Sequence, residues 1–76
     1  LIFNLKGFFM IIKTKNSSYE FDTLTSKFRK TLPILEEWQP YLGFVFDPEV
    51  GKTLNFLICR DHVTITSTVI NIDYES

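Results

Sequence analysis

From Met10 onward, side-chain polarity alternates at every second residue, and this constrains the chain more than any other feature. Ile12 and Thr14 alternate with Lys13 and Lys15, Tyr19 and Phe21 with Glu20 and Asp22, and Phe28 sits between Lys27 and Arg29. A period of two is that of a strand with one buried face; a helix would return like residues at three and four. The chain has 76 residues, room for one domain near the lower size limit for unaided folding. Eight Phe, three Tyr and one Trp compensate for the small size, because each aromatic side chain can bury roughly 150–250 Å².

Charge suggests a register. With Ser17 and Ser18 at the centre of a tight turn, Lys15 would face Glu20, Lys13 would face Asp22, and Thr14 would face Phe21. With Leu24 and Thr25 at the centre of a second turn, Asp22 would face Lys27, Glu20 would face Arg29, and Phe21 would meet Phe28. One side becomes a ladder of basic, acidic and basic columns, while the other gathers Ile12, Tyr19, Phe21 and Phe28. A slip of one residue would drive charges into the core. Each cross-strand pair contributes only about 0.2–1 kcal/mol, so burial selects the face and charge refines the register.

The next segment, TLPILEEWQPYLGF, has Pro33 suited to a first helical position and Pro40 as a stop, which allows at most one short helix near residues 33–38. The other expectation is an irregular loop that plugs the sheet with Trp38. Residues 44–46 read as a short strand and DPEVG as its turn. Thr53–Cys59 and residues 62–72 read as the longest strands, joined by a turn at Arg60 and Asp61. Leu54, Phe56 and Ile58 would point inward, with Val63 and Ile65 answering from the partner strand. Ile70 and Ile72 break the odd-numbered parity of Val63, Ile65 and Val69, which places a bulge around residues 66–69. About six short strands with a bent last strand predict an all-β fold, a small single-domain barrel or rolled antiparallel sheet.

The opening stretch LIFNLKGFFM poses a separate question. Lys6 and Gly7 can be written in the purine-rich codons of a bacterial ribosome-binding site, and Met10 follows at about the distance of a start codon. The expectation is a translated leader or N-terminal arm at residues 1–9 and a single β domain at residues 10–76. The apolar run is too short to span a bilayer and lacks the basic start and small-residue cleavage site of a signal peptide, so no membrane association is expected.

Charge is unevenly spread. Residues 10–32 carry five basic and two acidic groups; residues 33–76 carry two basic and seven acidic ones. Cys59 is the only cysteine, so no internal disulfide can form, and a reducing, cytoplasmic setting is expected.

Several motifs suggest chemistry that their spacing does not support. GKT at residues 51–53 has the ending of a phosphate-binding loop, but Phe46 stands where that loop needs its first glycine, and a strand rather than a helix is expected to follow. CRDH at residues 59–62 holds the chain's one Cys and its one His, short of the three or four ligands zinc takes. Glu36 and Glu37 are adjacent, so on a short helix they would diverge by about 100° and could not flank one bond. No catalytic residue, metal site or cofactor is expected. Lys13, Lys15, Lys27 and Arg29 are the candidate binding residues, on neighbouring strands, and a basic sheet face can hold a nucleic-acid backbone. Glu20 and Asp22 inside the ladder, and aromatic side chains turned to the core, argue against that use.

The quoted strings TKNSSYEFD, KFRK, EEWQPY, PEVGKTLNF and VTITSTVINI together resemble a family of small β-rich proteins from bacteria and their phages. Its pattern runs N-S-x-Y-E, a basic strand, a Trp, V-G-x-x-L and a closing T-S-x-V strand, and covers about residues 11–72. The departure is at Ser67, followed here by Thr68 where the pattern often has proline. The resemblance carries no activity and no catalytic residues. The expected function is therefore a non-enzymatic interaction or accessory module with a protein partner, bacterial or phage-encoded. A nucleic-acid-binding barrel and a phage assembly component that forms homo-oligomers are the alternatives.

Overall fold

The computed structural model describes residues 9–75. The chain is all-β, with strands β1 Phe9–Thr14, β2 Ser18–Asp22, β3 Lys27–Leu32, β4 Gln39–Pro40, β5 Gly43–Phe44, β6 Thr53–Cys59 and β7 His62–Glu75. All pairings are antiparallel, in the spatial order β4-β3-β2-β1-β7-β6-β5. The leader expectation at residues 1–9 falls, apart from Phe9, outside the described residues. Phe9 itself begins β1, opposite Asp22 and Glu75.

The two edge strands, β4 and β5, are separated by only Tyr41 and Leu42. The Tyr41 N–H donates to Ser26 O at 3.0 Å, on the β3 side, and the Leu42 N–H donates to Leu57 O at 2.8 Å, on the β6 side. Successive amides of an extended chain point in opposite directions. Residues 39–44 thus act as one crossing segment that spans the open side of a curled half-barrel. Of the expected strands, the short one at residues 44–46 is found instead at Gly43–Phe44, and Gln39–Pro40 adds a strand that was not expected. No helix forms at residues 33–38.

Strand β7 does the same on the opposite side. Its first half pairs with β6 and its second half with β1. Register shifts fall between Asn55 and Thr53 on the β6 side and between Lys13 and Thr14 on the β1 side, each adding one residue to β7. The buried or inward positions of β7 are accordingly Thr66, Val69 and Ile72, three apart, where an unbroken strand would give two.

The interior is aromatic. Phe21 has ring centroids of Phe28, Tyr41, Phe44 and Phe56 within 5.5 Å, and Phe56 lies 4.8 Å from Phe28. Met10, Ile12, Leu54 and Val69 complete the core. Phe21, Phe28 and Phe56 are sealed from water, as the alternation predicts.

Three expectations are corrected. The β1–β2 turn is centred on Lys15 and Asn16, so Lys13 lies opposite Ser18 and Ile11 opposite Glu20. The Thr14 N–H donates to Ser17 O at 2.8 Å while the Ser17 N–H donates to Thr14 Oγ1 at 3.1 Å, and these bonds outweigh a matched pair of surface charges. The register moves by four, an even number, so the buried face is unchanged. Val63 and Ile65 point outward, at 47% and 65% exposure. Phe56 fills the space across from them, and the small Thr64 faces it instead. Finally, Trp38 does not plug the sheet: it lies on the outside, and Tyr41 takes the interior place.

Candidate binding surfaces

Lys13, Lys27 and Arg29 share the outer face of the sheet but not a common row, and Lys15 lies in the β1–β2 turn. Arg29 Nε donates to Glu20 Oε1 at 2.7 Å, and its guanidinium sits 4.5 Å from the Trp38 ring centroid. Lys27 stands opposite Asp22, whose carboxylate accepts the N–H groups of Leu24 and Thr25 at 3.0 and 3.2 Å. Lys13 is exposed between Ser18 and Asn71 on neighbouring strands, and Lys15 belongs to the turn. Across β3, β2, β1 and β7 the outward rows run Lys27, Asp22, Phe9, Glu75 and Arg29, Glu20, Ile11, Asp73. Each row meets two carboxylates and an apolar residue after one cation. The ladder with a second basic column at β1 is therefore replaced by an apolar column.

Trp38 organises this face. It packs edge-on against Phe9 at 6.1 Å between ring centroids and covers the half-buried Arg29–Glu20 pair. Partial shielding from water raises the value of such an ion pair above that of a fully exposed one.

The other motifs are placed plainly. At GKT, the Gly51 N–H donates to Val69 O at 2.9 Å, Lys52 O accepts the Val69 N–H at 2.8 Å, and strand β6 follows. These backbone groups belong to the sheet, not to a phosphate cradle. Gly51 has φ of 93°, the left-handed region that a side chain rarely adopts, which fixes glycine at this turn. The Lys52 ammonium pairs with Glu49 at 2.9 Å, and that hydrogen bond raises its pKa. Cys59 and His62 face each other across the β6–β7 turn, both exposed. Among the described residues, no three of His, Cys, Asp and Glu are grouped to hold a metal ion. Nor is any helix long and apolar enough to cross a membrane.

Two loops combine exposed apolar side chains with carboxylates. In residues 32–37, Leu32, Ile34 and Leu35 are exposed next to Glu36 and Glu37. The Glu36 N–H donates to Lys30 O at 2.8 Å, so the loop is tied back to β3 while its aliphatic side chains stay out. In residues 46–50, Phe46 is 70% exposed and Val50 is exposed, beside Asp47 and Glu49. This loop borders a shallow, open depression of about 670 Å³ lined by Phe46, Asp47, Glu49, Lys52, Thr53 and Asn55.

Sequence reasoning set Glu36 and Glu37 aside as a catalytic pair and read DPEVG as a turn, and it missed the aliphatic and aromatic groups beside these carboxylates. The available signal was the pair Pro33 and Pro40, which denies the intervening residues a regular strand and with it a buried face. Set against protein-family models, curated proteins and solved structures, the chain has no match in any of the three.

Proposed function

We propose that this chain is a non-enzymatic interaction module, bacterial or phage-encoded, that binds a protein partner through the loop at residues 32–37. The observation that carries the proposal is the exposure of Leu32, Ile34 and Leu35 together, beside Glu36 and Glu37. Three large aliphatic side chains held in water on an anchored loop are costly unless a partner covers them. The carboxylates beside them select a partner whose apolar recess is rimmed by Lys or Arg. The order of sequence motifs supports the bacterial or phage origin. The exposed thiol of Cys59 suits a reducing cytoplasm.

The test is affinity capture from the native host with the full chain as bait, beside an Ile34→Asp, Leu35→Asp variant. The expected result is a partner that the wild type retains, that elutes with rising salt, and that the variant does not retain. Both positions are exposed, so the variant should keep the wild-type melting temperature. Capture that is indifferent to both changes would remove this loop from the function.

A second reading, nucleic-acid binding, gains one favourable observation: Trp38 is outside, stacked near Arg29 and available to a base. Its candidate residues remain Lys13, Lys15, Lys27 and Arg29, and Glu20 and Asp22 still stand among them. Salt-dependent retention on single-stranded DNA, lost in Lys15→Glu plus Lys27→Glu, would favour it over the first.

A further inference from the structure

The outer face of β5, β6 and β7 carries an aliphatic patch at its centre. Leu57 lies opposite Gly43 on one side and Val63 on the other, and Asn55 lies opposite Ile65. The Val45 N–H donates to Asn55 O at 3.0 Å, which sets Val45 beside Asn55. Leu57 and Asn55 alternate with the buried Leu54 and Phe56, so they and their neighbours across the strands share the outward side. Val45, Val63 and Ile65 are exposed and Leu57 is half-buried. Single exposed aliphatic residues are ordinary, but four on adjoining strands make one continuous patch.

The two ends of the patch differ in charge. At the Thr53 end lies the depression lined by Phe46, Asp47 and Glu49, with both carboxylates exposed. At the Cys59 end, the β6–β7 turn holds Arg60 beside Asp61, both exposed. Between the ends is a gap: among the described residues, nothing lies within 4 Å of where a Cβ at Gly43 would stand. We infer that this face packs on the same face of a second copy of the chain. The two-fold axis lies in the interface, runs across the strands and passes over Phe56.

Sheet geometry and charge give that orientation. Facing sheets keep their strands within about 30° of one another, so an in-plane axis runs either along the strands or across them. An axis along the strands would gather Asp47 and Glu49 of both copies at one end, where they repel. An axis across the strands sets each end on the opposite end of the other copy. Arg60, longer than its neighbour Asp61, then reaches the partner's depression, where a phenyl ring and two carboxylates suit a guanidinium. Glu49 is already bonded to Lys52 at 2.9 Å, so Asp47 is the readier acceptor. Val63 falls on the partner's Ile65, and Val45 on the partner's Gly43, where the missing side chain leaves room. Each contact occurs twice, as an isologous interface requires. The aliphatic centre is small beside the roughly 800 Å² that each partner buries in a standard interface, so the dimer is weak. It is separate from the loop at residues 32–37, so the failure of either proposal leaves the other standing.

The test uses the full chain. Sedimentation velocity over a micromolar-to-millimolar series should show a reversible monomer–dimer equilibrium. Ile65→Lys should weaken the dimer about tenfold or more while the thermal melt stays near that of wild type, because the position is exposed. Arg60→Glu should weaken it about fivefold or more, and adding Asp47→Arg to the same chain should restore it. A monomer throughout the series, a dimer unaffected by Ile65→Lys, or no recovery in the charge-exchanged double variant would overturn the inference.

Discussion

The outer faces of the two halves of the half-barrel are finished in opposite ways. On the β1–β2–β3 half, Trp38 folds back over Phe9 and the Arg29–Glu20 pair, so aromatic surface and charge shield each other. On the β5–β6–β7 half, Val45, Val63 and Ile65 are exposed beside the partly buried Leu57, and among the described residues no ring or ion pair covers them. The inner faces do not differ in this way: Phe21 and Phe28 from one half and Phe56 from the other share one aromatic cluster. The contrast teaches that the buried side of each strand was chosen by ring volume, and that exposed residues on the second half were displaced outward by Phe56.

The largest test of that contrast is Phe56→Ala. If the two halves are one folding unit, removing this ring costs about 3–5 kcal/mol and lowers hydrogen-exchange protection in β2 and β3 as much as in β6 and β7. Loss confined to β6 and β7 would make the halves independent.

A smaller effect separates the two faces of β7. Thr66 is buried, with its Oγ1 accepting the Leu54 N–H at 3.2 Å and donating to Ser67 O at 2.8 Å. Thr66→Val should cost about 1–3 kcal/mol in urea melts, because it strands a buried amide. Ile65→Thr on the outer face should change stability by no more than about 0.5 kcal/mol. Reversed magnitudes would turn the strand over.

The cover on the first half is worth less. Trp38→Ala should cost about 1–2 kcal/mol, combining the loss of the Arg29 cation–π contact and the edge-on Phe9 contact. Its signature is a wild-type-like aromatic core by NMR with a weakened Arg29–Glu20 pair.

The smallest effect appears only in alkali. Burial, with the nearby Asp22 carboxylate adding to it, raises the Tyr41 pKa above its ordinary value of 10.0. The folded state therefore holds the phenolic proton more tightly than the unfolded chain. This contribution is fully present below pH about 10 and declines as pH rises through the unfolded towards the folded pKa. Tyr41→Phe should flatten that alkaline decline while leaving the neutral-pH melt close to wild type.

Much of this architecture was legible in the residues. The β2–β3 register was readable because Asp22, Glu20 and Phe21 each find a compatible partner across a four-residue turn, and all three agree. The β1–β2 register was not, because matching Lys15 with Glu20 competes with the backbone and hydroxyl bonds between Thr14 and Ser17, which leave no mark in charge pattern. Ile12, Tyr19 and Phe21 were still placed inward, since an even slip preserves the face. Val63 and Ile65 misled because hydrophobicity alone ranks them above Thr64 and Thr66, and only the neighbouring Phe56 ring reverses that order. The same four-residue slip moves Lys13 and Lys15 along the sheet, out of the rows of Lys27 and Arg29, while Lys13 keeps its face. The closure by residues 39–44 was hidden because a strand that changes partners midway has no period of its own.

The central claim is that one aromatic cluster, closed by Tyr41 and Phe44 on the crossing segment, is shared by both halves. Proton–proton NOEs among the aromatic rings of the full chain test it most directly. The account predicts cross-peaks from Phe21 to Phe56, Tyr41 and Phe44, together with slow exchange of the Tyr41 and Leu42 amides. Cross-peaks from the Val63 and Ile65 methyl groups to the Phe56 ring, with none from Tyr41 to Phe21, would contradict it.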